Sequence, residues 1–170
     1  MLPIILDGSM IRAGIAGLGD SFARRLAMMK EGGIEQPEIF SGHLPDAGDI
    51  ARLQILFVAG LDAETSRSLA QLARAAGVLV NVEDVPELCD FHVPAQVRRG
   101  NFLIAISTAG ESPALSRALR EKLEVQFGPE WEQRLDELAE LRRALRARGV
   151  RAEEVSARTR AHLAEQGWLE

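Results

Sequence analysis

Three segments carry residue types whose spacing suits chemistry. The first is Gly17-Leu18-Gly19-Asp20, set between a short apolar run and an amphipathic stretch. Two glycines one residue apart permit a tight turn. A helix starting there aims unpaired N–H groups and a positive dipole end at a pyrophosphate. Phe22 fills the third small position of such a fingerprint and is expected to impede close helix–strand packing. A plain strand-to-helix turn is the alternative reading. The second segment is Asn81-Val82-Glu83-Asp84-Val85-Pro86, at the end of an apolar strand. That end faces the ligand crevice in doubly wound sheets. Asp84 there suits a general base whose pKa is raised by partial burial. The alternative is an aspartate that starts the turn before Pro86. The third is Ile106-Ser107-Thr108-Ala109-Gly110-Glu111-Ser112-Pro113. It ends a strand in hydroxyls and enters a helix, and such a turn offers N–H groups to an anion. Helix capping explains Ser112 fully and Ser107 and Thr108 less well.

Other residues weigh less. Arg98, Arg99, Arg117 and Arg120 read as a solvated face or as carboxylate readers. His92, in an apolar stretch, reads as a half-buried histidine rather than a metal ligand, because no two histidines have ligand spacing. Cys89 reads as a small buried residue.

The elements that position these residues follow from periodicity. Ile11–Ala16, Pro37–Phe40, Leu53–Ala59 and Val78–Val82 read as strands. Asp20–Lys30, with Phe22, Leu26 and Met29 on one face, and Ala63–Ala76 read as helices, and 42–48 as loop. Strands that alternate with helices imply a parallel, doubly wound sheet. Phe91–Arg99 and Phe102–Ser107 suggest a hairpin, and helices follow, one opened by Ser112-Pro113 and broken at Gly128-Pro129, then Glu130–Arg148 and Ala152–Gln166. Leu115, Leu119 and Leu123 are the expected buried stripe of the first of these. The expected division is an α/β domain over 1–111, whose strand-rich segment spans about 84–111, and a helical part over 112–170.

Composition removes several function classes. The 170 residues are 46% apolar and 26% charged, near globular averages, so wholesale disorder is excluded. No apolar run approaches the roughly 20 residues of a bilayer span. The start of the chain, Met1–Asp7, lacks the pattern of a signal peptide. A single cysteine excludes an internal disulfide and fits the cytoplasm. A net charge of −5 argues against nucleic acid as a partner. All 20 basic residues except Lys30 and Lys122 are arginine, a bias that suits either a GC-rich genome or carboxylate recognition.

From Asn81 to Glu124 the run NVEDVPELCDFHVPAQVRRGNFLIAISTAGESPALSRALREKLE resembles the N-terminal module of siroheme synthase. The opening Leu2-Pro3-Ile4-Ile5-Leu6-Asp7 and the stretch Gly17–Arg25 are similar to that family as well. The family comprises NAD-dependent precorrin-2 dehydrogenases, some of which are also sirohydrochlorin ferrochelatases. The resemblance implies a Rossmann-like sheet, a dimerisation segment and a helical C-terminal part, assembled as a homodimer. It implies Asp84 as the catalytic carboxylate and Ser107 and Thr108 beside the tetrapyrrole. It implies NAD held by Gly17, Leu18, Gly19, Asp20, Ser41, Ala59, Gly60 and Val82. Precorrin-2 and sirohydrochlorin are polycarboxylates, so Arg98, Arg99, Arg117 and Arg120 are the expected substrate contacts. Fe2+ or Co2+ would be the metal substrate of a chelatase.

The departures from the family pattern all fall in the cofactor half. The segment from Phe40 to Leu53 is short, and Ser41 stands where an acidic ribose reader is expected. Ala59-Gly60-Leu61-Asp62 replaces the usual ATDD. Two further readings therefore stay open: a sirohydrochlorin chelatase without dehydrogenase activity, in which His92 helps to deliver the metal, and a tetrapyrrole-binding protein without catalysis.

Overall fold

The structure is a computed structural model that describes residues 1–169. It contains two compact units, Met1–Val93 and Pro94–Glu170. The hairpin expected to belong with the sheet falls in the second unit, because it packs on the helices that follow it.

The first unit is a four-stranded parallel sheet in the order β2-β1-β3-β4. Its strands are β1 (Ala13–Gly17), β2 (Glu38–Phe40), β3 (Ile55–Ala59) and β4 (Leu79–Val82). All five residues of β1 and of β3 are buried, as a central parallel strand covered on both faces requires. Three helices connect the strands: α1 (Gly19–Glu31), α2 (Ala47–Ala51) and α3 (Ala63–Ala75). Strand order reverses between β1 and β3, so the helices divide between the two faces. Ile15, Phe57 and Met29 pack on the α1 side, joined by Phe22 and Leu26. Ala16, Leu56, Val58, Val80, Leu69 and Ala73 pack on the α3 side.

The short α2 begins near the end of the stretch expected to be loop from 42 to 48 and runs past it to Ala51. It has too few residues for a periodicity signal and is held by a reciprocal cap. The Asp46 side chain accepts from the Asp49 N–H, and the Asp49 side chain accepts from the Asp46 N–H. Asp62 caps α3 by accepting from the N–H groups of Glu64 and Thr65 and from the Thr65 hydroxyl. The Thr65 N–H and hydroxyl hold its carboxyl below the usual carboxylate range.

The second unit pairs β5 (Ala95–Arg99) with β6 (Phe102–Ile106) antiparallel, across the Gly100-Asn101 turn. Helices α4 (Pro113–Gln126), α5 (Glu130–Ala147) and α6 (Ala152–Glu165) follow. Phe102 stacks on Trp131 at 5.2 Å, and Phe127 meets both rings. Ser112 caps α4 through the Leu115 N–H, with Pro113 in the first turn. The expected stripe of α4 is not its covered face, since Leu115 is 50% and Leu119 38% exposed. The half-buried positions are Ser112, Ser116, Arg120, Leu123, Glu124 and Phe127. The Ser116 hydroxyl lies 3.0 Å from Thr108 Oγ1, so a polar tether sets the rotation of the helix. Among the described residues no helix is long and apolar enough to cross a membrane.

Leu56 is fully buried between Gly14 and Val80 in register. Leu56→Ala is expected to cost about 2–5 kcal/mol in denaturant unfolding, by lost transfer energy plus the cavity left behind. Asp62 has a folded pKa below its unfolded one. Its stabilising effect is therefore present above the unfolded value and lost as pH falls through the folded value. Asp62→Asn, which keeps the cap, is expected to flatten the acid limb of a plot of melting temperature against pH.

Candidate functional site

The crevice of the first unit opens at the C-terminal ends of β1 and β3, where strand order reverses. Backbones approach closely here. The Leu18 N–H donates to the Ala59 carbonyl at 3.2 Å. A Cβ on Gly17 would collide with the Ala59 carbonyl oxygen, and one on Gly60 with the Leu18 carbonyl oxygen. Both positions thus require glycine for space. The next residue, Gly19, has φ +71° with open space beyond it, and α1 begins there with no side chain capping its first N–H groups. The turn is a cradle that a Cβ would fill, at the positive end of a 13-residue helix, and it fits a pyrophosphate.

A cavity of about 200 Å³ adjoins the turn, lined by Gly17, Leu18, Phe40, Gly42, His43, Leu44 and Leu61. Ligand pockets usually measure about 300–1,000 Å³, so this one suits part of a dinucleotide. Of the residues the sequence suggests for the cofactor, Gly17 and Leu18 line the cavity. Gly19 forms the turn, and exposed Asp20 lies in the first turn of α1. The Ala59 carbonyl and Gly60 hold the turn closed. Ser41 is exposed just after β2. Val82 is 3% exposed and belongs to the core on the α3 side. Phe40, His43, Leu44 and Leu61 were not legible as lining residues one by one. The signal for them is topological: each follows or ends a strand beside the reversal. Phe22 does not keep α1 off the sheet. Its ring turns onto Gly17 and joins Ile15 and Phe57, filling the space a third small residue would leave.

Asp84 sits past the end of β4, with φ +62°. It is exposed, not partly buried as expected. Left-handed backbone is tolerated by aspartate better than by most residues, because its short side chain bonds locally. The turn is fastened on both sides. The Glu83 N–H donates to the Val58 carbonyl at 2.9 Å, and the Val85 N–H to the Val82 carbonyl at 3.3 Å. From α1, Arg25 brings its guanidinium 4.0 Å from Glu83 Oε1 and 5.5 Å from the centre of the Phe57 ring. Both side chains of this pair are largely buried, at 14% and 17% exposed. Burial lowers the Arg25 pKa, and the charge of Glu83 works against that shift. No local pattern of residues marks this pair, which joins positions far apart in the chain.

Beneath the turn, Asn81 Nδ2 donates to the Phe91 carbonyl at 2.8 Å, while its buried Oδ1 has no partner among the described residues. Cys89 Sγ donates toward the carbonyls of Val82 and Val85 and accepts from the Val82 N–H. Burial pushes its thiol pKa up. His92 is exposed, in contrast to the half-buried position expected of it, because the apolar stretch around it is a surface loop. Among the described residues no group of three or more His, Cys, Asp or Glu converges.

In the second unit, Ser107 Oγ accepts from the Ala109 N–H at 3.2 Å, and Thr108 Oγ1 accepts from the Ser112 N–H at 3.2 Å. Ala109 has φ +57° and Gly110 φ +84°. The four arginines differ in what they are free to do. Arg99 donates to the carbonyls of Phe127, Arg98 and Glu124 and so closes the C-terminal end of α4. Arg117 pairs with Glu121 at 3.0 Å, and Arg120 with Glu124 at 2.6 Å. The Arg117 pair is exposed, and such helical pairs are worth only about 0.3–0.5 kcal/mol and open readily, whereas the Arg120–Glu124 pair is half-buried. Arg98 has a buried Nε with no partner among the described residues.

Comparison with known proteins follows this division. The family described as putative NAD(P)-binding matches residues 11–95, and that described as sirohaem biosynthesis protein central matches residues 99–126. Siroheme synthase of Methylobacillus flagellatus is 30% identical over 152 residues, covering 79% of this chain and 32% of that protein. Siroheme synthase of Nitrosococcus oceani is 33% identical over 141 residues, covering 72% and 30%. That of Ruthia magnifica subsp. Calyptogena magnifica is 40% identical over 80 residues, covering 46% and 17%. The chain spans about a third of the length of the first two relatives. The solved structure of SirC, precorrin-2 dehydrogenase, has the same fold, with a TM-score of 0.71 at 19% identity over 100% of this chain and 93% of that one.

The Cys89 environment makes a direct prediction. The native thiol is expected to react with a disulfide reagent at neutral pH at least tenfold more slowly than in denaturant, because only the thiolate attacks. Equal rates in the two states would contradict the half-buried, hydrogen-bonded geometry.

Proposed function

The chain belongs to the family of the siroheme synthase N-terminal module, and on that premise we propose that it is a nicotinamide-dependent precorrin-2 dehydrogenase. The observation that carries this reading is the glycine-walled crevice at the strand-order reversal, backed by an uncapped helix N-terminus. The residues fit a dinucleotide: the Gly17–Gly19 turn and the first N–H groups of α1 would hold the pyrophosphate, and the adjoining cavity one end of the cofactor. NAD+, when bound, supplies a hydride acceptor.

Oxidation of precorrin-2 to sirohydrochlorin removes a hydride and a proton. Asp84 takes the proton in this proposal. Its exposed carboxylate stands beside the crevice-bearing sheet, and the Arg25–Glu83 pair holds its turn in place. Glu83, the neighbouring carboxylate, is engaged by that arginine and is not free for the role. On the second unit, Arg98, Arg117 and Arg120 are the substrate-carboxylate contacts in this proposal, and Ser107 and Thr108 stand at the N-terminal end of α4, while Arg98 lies at the turn end of the hairpin. Arg99 serves the fold instead. The working assembly in this reading is a homodimer. Insertion of Fe2+ or Co2+ into sirohydrochlorin is a second activity that the same Asp84 carboxylate would serve, as acceptor of the macrocycle's N–H protons.

Asp84→Asn keeps the left-handed backbone and removes the base. It is expected to lower kcat for NAD+-linked sirohydrochlorin formation by about 10²–10⁴-fold, with cofactor Kd within about twofold. A variant that turns over at the parental rate would remove Asp84 from the mechanism. Parental protein that binds NAD+ yet leaves precorrin-2 unoxidised would overturn the dehydrogenase itself.

A further inference from the structure

We infer that the cofactor crevice does not select against a ribose 2′-phosphate, so that NADP+ binds it about as tightly as NAD+. This deepens the cofactor reading above and rests on it. In a doubly wound sheet, discrimination lies at the C-terminal end of the strand beside the glycine turn. A carboxylate there accepts the ribose hydroxyls and repels a phosphate. That strand is β2, which ends at Phe40 and continues as Ser41-Gly42-His43. Gly42 and His43 line the cavity, and none of the lining residues is acidic.

The acids nearest in sequence are engaged elsewhere. Asp46 Oδ1 accepts from the Asp49 N–H at 2.8 Å, and Asp49 Oδ2 from the Asp46 N–H at 3.1 Å. The other Asp49 oxygen lies 2.8 Å from Arg52 Nη2, and Glu38 lies 3.5 Å from the same nitrogen. Asp49 is thus fixed in the α2 cap with a cation against it. The Asp46 N–H bond and the Arg52 bond hold its carboxyl below the usual range, and His43 adds to that shift. At this strand end the cavity is lined by Gly42, with its N–H, and the His43 imidazole, and the exposed Ser41 precedes them in the chain. Each can donate to a phosphate oxygen, and none carries a negative charge to exclude it.

Calorimetric titration of the full chain with NAD+ and with NADP+ tests this without any turnover. The two dissociation constants are expected to lie within about tenfold of each other. Ser41→Asp, at an exposed position, restores a carboxylate. It is expected to weaken NADP+ more than tenfold while leaving NAD+ within about threefold, because like charges placed together cost several kcal/mol. NADP+ binding more than tenfold weaker than NAD+ in the parental chain overturns the inference and leaves the cofactor reading standing. A Ser41→Asp chain that binds NADP+ unchanged overturns the assignment of the discriminating position. Binding of neither nucleotide overturns the cofactor reading and this inference with it.

Discussion

The contact between β1 and β3 at their C-terminal ends governs the first unit. Gly17 lies against Ala59, and Leu18 against Gly60, closer than any side chain allows. That approach lets the two central strands stay in register through their last residues. It also sends the chain to opposite faces after each strand: α1 leaves one side and α3 the other. A gap therefore forms above the strand ends, and the N-terminus of α1 points across it. A methyl group at either glycine would separate the strands, tilt α1 and close the gap. Fold and cofactor crevice thus rest on the same few backbone atoms.

Charge is handled differently in the two units. In the first, one arginine is taken into the interior, where Glu83 and the face of Phe57 compensate its lost hydration. In the second, several arginines pair along their own helices, as Arg117, Arg120 and Arg158 do. Those pairs hold guanidinium groups at the surface without binding them tightly. In the proposed function, such a surface would meet a polycarboxylate by exchanging one carboxylate partner for another, at small net cost. Arg134 pairs with Glu130 at 3.9 Å along its helix and is also set against Trp131 and Trp168 at 5.1 and 5.3 Å.

Much of this was legible in the residues. Runs of apolar residues marked β1, β3 and β4, since strands buried on both faces have no polar side to blur the pattern. The Gly17–Gly19 turn and the Ser112 cap were readable because each is a local backbone demand met by neighbours in sequence. What escaped was set by distance. The α2 cap occupies five residues, below the reach of a helical period. The rotation of α4 follows from a hydroxyl in the preceding loop, and Leu115 and Leu119 look like core until that tether is known. Arg99 resembles its neighbour in sequence, yet only the fold reveals that three carbonyls receive its donors. Phe22 broke a glycine rule and was absorbed by a rotamer.

The backbone of Asp84 has a consequence for how this chain can vary. At φ +62° it sits where glycine rests without strain and most side chains do not. Replacement by glycine would relax the loop, and replacement by asparagine would be nearly neutral for it. Both changes would erase the carboxylate. Under the proposed role of Asp84, selection for thermal robustness and selection for a proton acceptor therefore pull this position in opposite directions. A lineage that no longer needed the reaction would be expected to drift there toward glycine or asparagine while the sheet beneath stayed intact.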